Sequence, residues 1–159
     1  TDTAGQAWQE HSFRAHIRLA RDLDKTLVIH DRDAHDDVIR VLEDEAAPAR
    51  VVFHCFSGDA AMARYCVEAG WYLSFAGPLT FANAAPLRDA ARAAVEVSGL
   101  DQVLVETDAP YLTPHPHRGR TNSSYLVPWT VRTLAEVAGV DVAATCQATL
   151  RATRSAFGI

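Results

Sequence analysis

The stretch TLVIHDRDAHDD, residues 26–37, joins a short apolar run to a polar cluster of two histidines, four aspartates and an arginine. The run has the length of a β-strand, and apolar residues at helical spacing follow the cluster. Three more such runs occur along the chain without a clean apolar–polar alternation. Near-continuous apolar runs are typical of strands buried on both faces of a parallel sheet. The predicted strands are residues 26–30, 51–55, 71–75 and 103–108.

Segments with helical spacing lie before, between and after these runs. Before the first run, for example, Phe13, Ile17, Ala20 and Leu23 recur at steps of three and four residues. Helices alternating with strands predict an α/β fold with a parallel sheet, in a single domain covering residues 1–159. Four strands fit either a small open sheet or part of a (β/α)₈ barrel, because a whole barrel takes about 250 residues.

Composition narrows the class of protein. The net charge of -5 argues against a protein that binds nucleic acid through a broad basic surface, but leaves open a nuclease that uses bound cations. No apolar run approaches the roughly 20 residues of a membrane span, and the first residues do not resemble a signal peptide. The 3 cysteines show no CxxC spacing, which argues against a disulfide framework or a zinc knuckle. We therefore expect a cytoplasmic protein with no membrane partner.

Polar side chains fall at the carboxyl ends of three predicted strands. His30 ends the first strand, His54 the second, and Glu106 and Asp108 the fourth. Reactive groups collect at this end of the strands in barrels and in open parallel sheets. Because side chains alternate along a strand, two imidazoles and a carboxylate converge if the strand faces match. Such donors suit Zn²⁺ or Mn²⁺, whereas Mg²⁺ prefers oxygen ligands, so the pattern predicts a metal site.

Each of these residues also has a simpler interpretation. A single histidine at a strand end is more often a hydrogen-bonded structural residue, and Asp108 before Ala–Pro also fits a turn cap. Three such residues at matching strand ends favour the metal site over separate explanations. His35 lies where a helix is expected to begin, and Cys55 is expected to pack on the face opposite His54.

Three arginines are candidates for binding an anionic substrate, because paired guanidinium donors match phosphate oxygens. They are Arg32, Arg118 and Arg120. The alternative, a solvated surface arginine, carries equal weight for Arg32 and more weight for Arg120.

Six longer motifs occur in order along the chain. They are LVIHDRDAHDD (27–37), VVFHCFSGD (51–59), LSFAGPLTFANA (73–84), LVETDAPYLTPHPHRGR (104–120), NSSY (122–125) and AFG (156–158). Together they resemble the TatD family of metal-dependent deoxyribonucleases, and the similarity runs from about residue 9 to residue 159.

This resemblance implies an amidohydrolase-like (β/α)₈ barrel in which the four strands are the fifth to the eighth. It implies that His30, His54 and Asp108 are metal ligands, that Asp108 is also a catalytic proton acceptor, and that Glu106 supports the site. The implied cofactors are divalent metal ions, two in the intact family, with Mg²⁺, Mn²⁺ and Zn²⁺ as candidates. The implied reaction is hydrolysis of DNA phosphodiester bonds by a metal-activated water. The implied substrate-binding residues are Arg32, Tyr111, Arg118 and Asn122.

The chain also departs from the family pattern. Family members supply a strand ending in an HxH pair and a later bridging glutamate, both before the region that matches Gln9. Neither is present here, and Ala152 stands where the family has asparagine. We therefore expect the chain to correspond to the C-terminal part of such an enzyme, without the N-terminal half of the barrel, and to be impaired on its own.

Two further hypotheses stay open. One is an amidohydrolase-like hydrolase of an amide, lactone or ester rather than a nucleic acid. The other is a non-catalytic half-barrel that assembles with a partner, because a half-barrel exposes two sheet edges and an apolar interior. The expected partners are DNA or another phosphodiester substrate, together with a second copy of the chain or a missing N-terminal half.

Overall fold

Four parallel strands form a single sheet, and their order in the sheet is their order in the chain. The structure is a computed structural model that describes residues 3–159. The strands are Leu27–His30 (β1), Val51–His54 (β2), Tyr72–Phe75 (β3) and Val103–Val105 (β4). The predicted α/β fold with a parallel sheet is therefore confirmed.

The fourth strand is shorter than predicted. Glu106 still donates its backbone N–H to the Phe75 carbonyl at 3.1 Å, but a turn then follows in which the Tyr111 N–H donates to the Asp108 carbonyl at 2.7 Å. Because Asp108 lies in this turn, the alternation of side chains along a strand does not determine whether Glu106 and Asp108 lie on the same face.

Helices precede, connect and follow the strands, as the spacing predicts. Asp59 and Asp141 begin two of them by accepting backbone N–H hydrogen bonds on their carboxylates, which satisfies donors that a helix start leaves unpaired. The helices are Thr3–Asp22 (α1), His35–Asp44 (α2), Ala60–Glu68 (α3), Ala85–Ser98 (α4), Val127–Ala138 (α5) and Val142–Phe157 (α6), with short 3₁₀ turns at Gly77–Thr80 and Ser124–Leu126.

The outer face of the sheet is the face that packs against helices α1 to α5. Phe53, Leu73 and Phe75 are among its largest fully buried side chains. The helices meet them with buried apolar residues such as Ile17 and Leu42. This face therefore forms the main hydrophobic core.

The inner face carries the alternate side chains, and α6 lies against the amino-terminal end of its strands. Ala152 and Ala156 of α6 pack with Val52 and Leu104, with Tyr72 at the border of this small cluster. The Thr26 hydroxyl donates to the Ala156 carbonyl at 2.6 Å, which ties the end of α6 to the start of β1.

The prediction that the strands are buried on both faces is wrong for β1. Its burial alternates: Leu27 and Ile29 are buried, whereas Val28 is 51% exposed and His30 is also exposed. Within the described residues α6 reaches only the start of this strand, so the inner face stays open toward its carboxyl end.

Charged side chains join α1 to α2. Arg14 lies 2.9 Å from Asp44 and 3.1 Å from Glu45, and Arg18 lies 2.6 Å from Glu45. The hydrogen bonds from Arg18 and Arg14 lower the pKa of Glu45 to about 2.

The predictions about cysteines and membrane spans can be checked against the structure. The cysteines Cys55, Cys66 and Cys146 are free thiols, as their spacing predicted. None of the described helices combines the length and the apolar character needed to cross a membrane.

Candidate metal centre

His30 and His54 lie side by side at the carboxyl ends of β1 and β2. They are direct partners in the strand register, and their ring centroids are 5.6 Å apart. Equal register in a parallel pair places both side chains on the same face. The structure thus brings the two predicted imidazole ligands together on the open part of the inner face.

The imidazole of His54 lies between two carboxylates that follow β4. Its Nδ1 is 2.6 Å from Glu106 Oε1, and its Nε2 is 3.6 Å from Asp108 Oδ1. Asp108 therefore reaches the same strand ends as the histidines, although it lies beyond the regular strand. The three residues predicted as metal ligands are neighbours in space.

Glu106 is the most heavily bonded member of this group. Its Oε1 accepts the backbone N–H of Cys55 at 2.9 Å, and its Oε2 accepts the Ser74 hydroxyl at 2.6 Å. Burial raises the pKa of the Glu106 carboxyl above its ordinary value, while the Ser74 hydrogen bond and the nearby His54 act in the opposite direction.

Ser74 is a site residue that the sequence analysis missed. The third strand carries no predicted metal ligand, and Ser74 joins the group through the hydrogen bond that its hydroxyl donates to Glu106. The available signal was a serine in an apolar strand, two residues after Tyr72 and hence on the same face.

The thiol of Cys55 is unsuited to nucleophilic catalysis. Burial raises its pKa to about 11, with the Glu106 carboxylate adding to the effect. A thiol with that pKa stays protonated near neutral pH, and the thiolate is the reactive form. This agrees with the expectation that Cys55 packs rather than attacks.

The donor set fits part of a metal site. Imidazole nitrogens and carboxylate oxygens are the ligands that Zn²⁺ and similar divalent ions bind. Among the described residues, however, no three His, Cys, Asp or Glu side chains are arranged as a complete metal-binding group. His30, His54 and Asp108 therefore do not make a complete metal site by themselves, and their role as metal ligands stays a prediction.

Arg32 lines a cavity of about 350 Å³ between α1, the end of β1 and the start of α2, together with His30 and Asp31. Asp31 is buried and hydrogen-bonded to the His35 imidazole and the Ala34 N–H. The helix start expected at His35 is confirmed.

The long loop between β4 and α5 carries the other predicted substrate-binding residues. Tyr111 is 71% exposed, and the Arg118 guanidinium stacks over the Phe81 ring at 3.7 Å. Asn122 is buried, and its amide donates to the Tyr111 carbonyl at 2.7 Å. Asn122 therefore braces the loop that presents Tyr111, and contact of these residues with a substrate stays a prediction.

This loop is fixed against the segment that follows β3. The His115 N–H donates to the Thr80 hydroxyl at 2.7 Å. A Cβ at Gly77 would overlap the Leu112 carbonyl oxygen, so only glycine allows the two segments to approach this closely. The loops beyond β3 and β4 thus form one surface at the carboxyl end of the sheet.

Comparison with known proteins shows the family to which the chain belongs. The model of the family described as TatD related DNase matches residues 1–158. The chain belongs to the TatD family. The resemblance inferred from the strand-end motifs is therefore confirmed.

Two curated relatives illustrate the match. The uncharacterized metal-dependent hydrolase TatD of Mycobacterium tuberculosis is 49% identical over 151 residues, which cover 95% of this chain and 56% of that protein. The uncharacterized metal-dependent hydrolase YabD of Bacillus subtilis is 41% identical over 130 residues, covering 81% of this chain and 49% of the relative. The chain thus spans about half the length of these relatives.

A solved TatD-family structure has a similar fold. YJJV, a TatD homolog from Escherichia coli, superposes with a TM-score of 0.81 at 26% sequence identity, covering 90% of this chain and 54% of that one. The fold described above is therefore the fold of part of a TatD protein.

Proposed function

We propose that this chain is part of a metal-dependent hydrolase that cleaves DNA phosphodiester bonds through a water activated by divalent metal ions. The observation that carries the proposal is the grouping of His30, His54 and Asp108 at the carboxyl end of the sheet in a TatD-family chain. The matching family is described as TatD related DNase, and the relatives are named metal-dependent hydrolases. Both descriptions agree with a site of nitrogen and oxygen donors.

In this proposal the four strands are strands five to eight of a (β/α)₈ barrel. The exposed Val28 and His30 on the inner face of β1 leave room for a neighbouring strand and its side chains. The remaining half of the barrel then supplies the ligands needed to complete the site. The isolated chain is accordingly impaired or inactive.

The roles of the chain's own residues follow from their positions. His30 and His54 would hold metal through ring nitrogens, and Asp108 would both bind metal and accept a proton from water. Divalent metal at this site would supply a water of lowered pKa and positive charge to offset the charge on the phosphate. Arg32, Tyr111 and Arg118 contact the substrate from the surrounding loops, while Asn122 holds the Tyr111 loop in place.

The proposal is tested with a joined protein, in which this chain follows the N-terminal segment of the Mycobacterium tuberculosis relative. The 159-residue chain and the joined protein are each incubated with a labelled DNA oligonucleotide and Mg²⁺ or Mn²⁺, with and without a chelator. We expect cleavage by the joined protein, its loss on adding chelator, and little or none with the chain alone.

Substitutions assign that activity to the site. His54→Ala and Asp108→Ala should each abolish cleavage by the joined protein, whereas His16→Ala, an exposed change on α1, should leave it unchanged. A folded joined protein without chelator-sensitive cleavage of DNA would contradict the proposal. Chelator-sensitive hydrolysis of an ester or lactone would then favour the amidohydrolase-like alternative, and no hydrolysis at all would favour the non-catalytic half-barrel.

A further inference from the structure

We propose that Glu106 is a positioning residue that holds the His54 ring with its proton on Nδ1 and leaves Nε2 free to bind metal. Ser74 and the backbone amide of Cys55 hold Glu106 in turn. The inference rests on the proposed function, because a free Nε2 has a use only if His54 is a ligand.

The contacts of Glu106 join three strand ends. The carboxylate follows β4, the Ser74 hydroxyl belongs to β3, and the Cys55 amide follows β2. A backbone N–H can only donate, so Oε1 acts as an acceptor toward Cys55. The same Oε1 lies 2.6 Å from His54 Nδ1, which makes Nδ1 the natural place for the ring proton.

The backbone at Cys55 turns its amide away from the sheet ladder. Cys55 has a φ of 44°, in the left-handed region that residues other than glycine rarely adopt. The next residue, Phe56, returns to the ladder by donating its N–H to the Ser74 carbonyl at 2.9 Å. A single left-handed residue at the end of β2 thus supplies the donor that fixes Glu106.

The consequence for His54 concerns its second nitrogen. In a metal-ligating histidine, the hydrogen bond made by one ring nitrogen decides which nitrogen is free for the metal. With Nδ1 placed 2.6 Å from Glu106 Oε1, Nε2 is the nitrogen left for metal, and it lies 3.6 Å from Asp108 Oδ1. Glu106 therefore acts on metal binding through His54 and need not touch the metal.

The direct test is the tautomer of His54 in the metal-free 159-residue chain, read from ¹⁵N chemical shifts of labelled histidine. The pH is set high enough that the ring is neutral, and a His54→Gln variant identifies its signals among those of the 7 histidines. We expect the wild-type chain to show a protonated Nδ1 and an unprotonated Nε2.

Substitutions at Glu106 and Ser74 separate positioning from a general structural role. Glu106→Ala should shift His54 toward the tautomer with the proton on Nε2. Glu106→Gln should restore the wild-type tautomer, because its carbonyl oxygen can still accept from Nδ1–H. Ser74→Ala should give an intermediate shift.

Two matched controls use the same side chains outside this contact. Glu96→Ala changes an exposed glutamate that pairs with Arg64, and Ser57→Ala changes an exposed serine near the same strand end. Both should leave the His54 signals unchanged.

Metal affinity gives a second readout in the joined protein. Loss of the partner of a metal-ligating histidine typically lowers metal affinity by about 10–100-fold. Glu106→Ala should weaken Zn²⁺ binding by this factor, and Glu96→Ala should not.

A wild-type His54 with its proton on Nε2 would overturn the inference. An unchanged His54 tautomer in a folded Glu106→Ala chain would also overturn it. If Glu106→Ala unfolds, an unchanged His54 tautomer in Ser74→Ala would overturn the inference instead. The test is independent of catalysis. The expected tautomer without DNA cleavage by the joined protein would refute the proposed function alone, and the opposite tautomer with cleavage would refute this inference alone.

Discussion

In the described part of the chain, the outer face of the sheet, which carries Phe53 and Leu73, lies under five helices, whereas α6 covers the amino-terminal part of the inner face and leaves Val28 and His30 exposed. The outer face consists of large, fully buried apolar side chains. The inner face changes character along its strands, from the apolar Val52 and Leu104 to the polar His54 and Glu106.

The outer face contributes mainly to the stability of the fold, whereas the inner face presents the residues of the candidate site. The outer face excludes water and holds the strands in register, so the residues at their carboxyl ends have fixed positions. The inner face leaves those ends accessible, which a metal site with a substrate requires. We therefore expect substitutions on the outer face to change mainly the free energy of unfolding, and substitutions at the open end to change mainly metal binding and activity.

The largest loss of stability is expected for Phe53→Ala. The Phe53 ring is 1% exposed and lies within 6.5 Å of the Phe56 ring centroid. Its removal leaves a cavity that neighbouring side chains fill only partly, so the free energy of unfolding should fall by about 3–5 kcal/mol. Urea denaturation measures this, and a loss below 1 kcal/mol would show that the outer face is not the main core.

A matched pair of valines compares the two faces directly. Val51 is fully buried, whereas Val28 is half exposed on the inner face of β1. Val51→Ala should cost about 2–3 kcal/mol of unfolding free energy through lost burial and a cavity, and Val28→Ala should stay within about 0.5 kcal/mol. Equal losses in urea denaturation would mean that the inner face of β1 is covered.

The contact of α6 with the inner face is tested by a larger side chain. Ala156 is fully buried against the sheet, whereas Ala144 lies exposed near the start of the same helix. Ala156→Leu should lower the free energy of unfolding by about 1–3 kcal/mol because the site has no room for the added atoms. Ala144→Leu is the control and should have little effect, so similar values for the two would contradict the packing of α6.

The smallest effect concerns the charged contact between α1 and α2. The folded-state pKa of Glu45, about 2, lies below its ordinary value of 4.5. A lowered pKa means that Glu45 stabilises the fold above pH 4.5 and that this contribution disappears as the pH falls toward 2.

Thermal unfolding across this pH range measures the contribution. Wild type should melt slightly above Glu45→Gln at neutral pH, and the two melting temperatures should converge near pH 2. Glu136→Gln, an exposed change on α5, is the control. A gap between wild type and Glu45→Gln that persists at pH 2 would show that the ion pairs do not produce it.

Much of this architecture could be predicted because it depends on local patterns. Apolar runs with intervening helical spacing predicted the four strands and the parallel sheet, and His30 and His54 fell at matching ends. The TatD motifs, which are long and occur in order, predicted the family.

Other features could not be predicted because they depend on contacts between distant segments. The position at which α6 packs on the sheet determines that Val52 is buried and Val28 is exposed. The bonds from Ser74 and the Cys55 amide to Glu106 join three strands, and no local pattern indicates the left-handed backbone at Cys55. The early end of β4 likewise follows from the turn after Asp108.

Anomalous diffraction from crystals of the joined protein grown with Mn²⁺ tests the metal centre most directly. We expect a Mn²⁺ peak bound by Nε2 of His54 and by His30, with Asp108 in the same site. A well-ordered His30–His54 pair without a peak beside it, or with Mn²⁺ bound only elsewhere, would contradict the assignment of these strand ends as a metal centre.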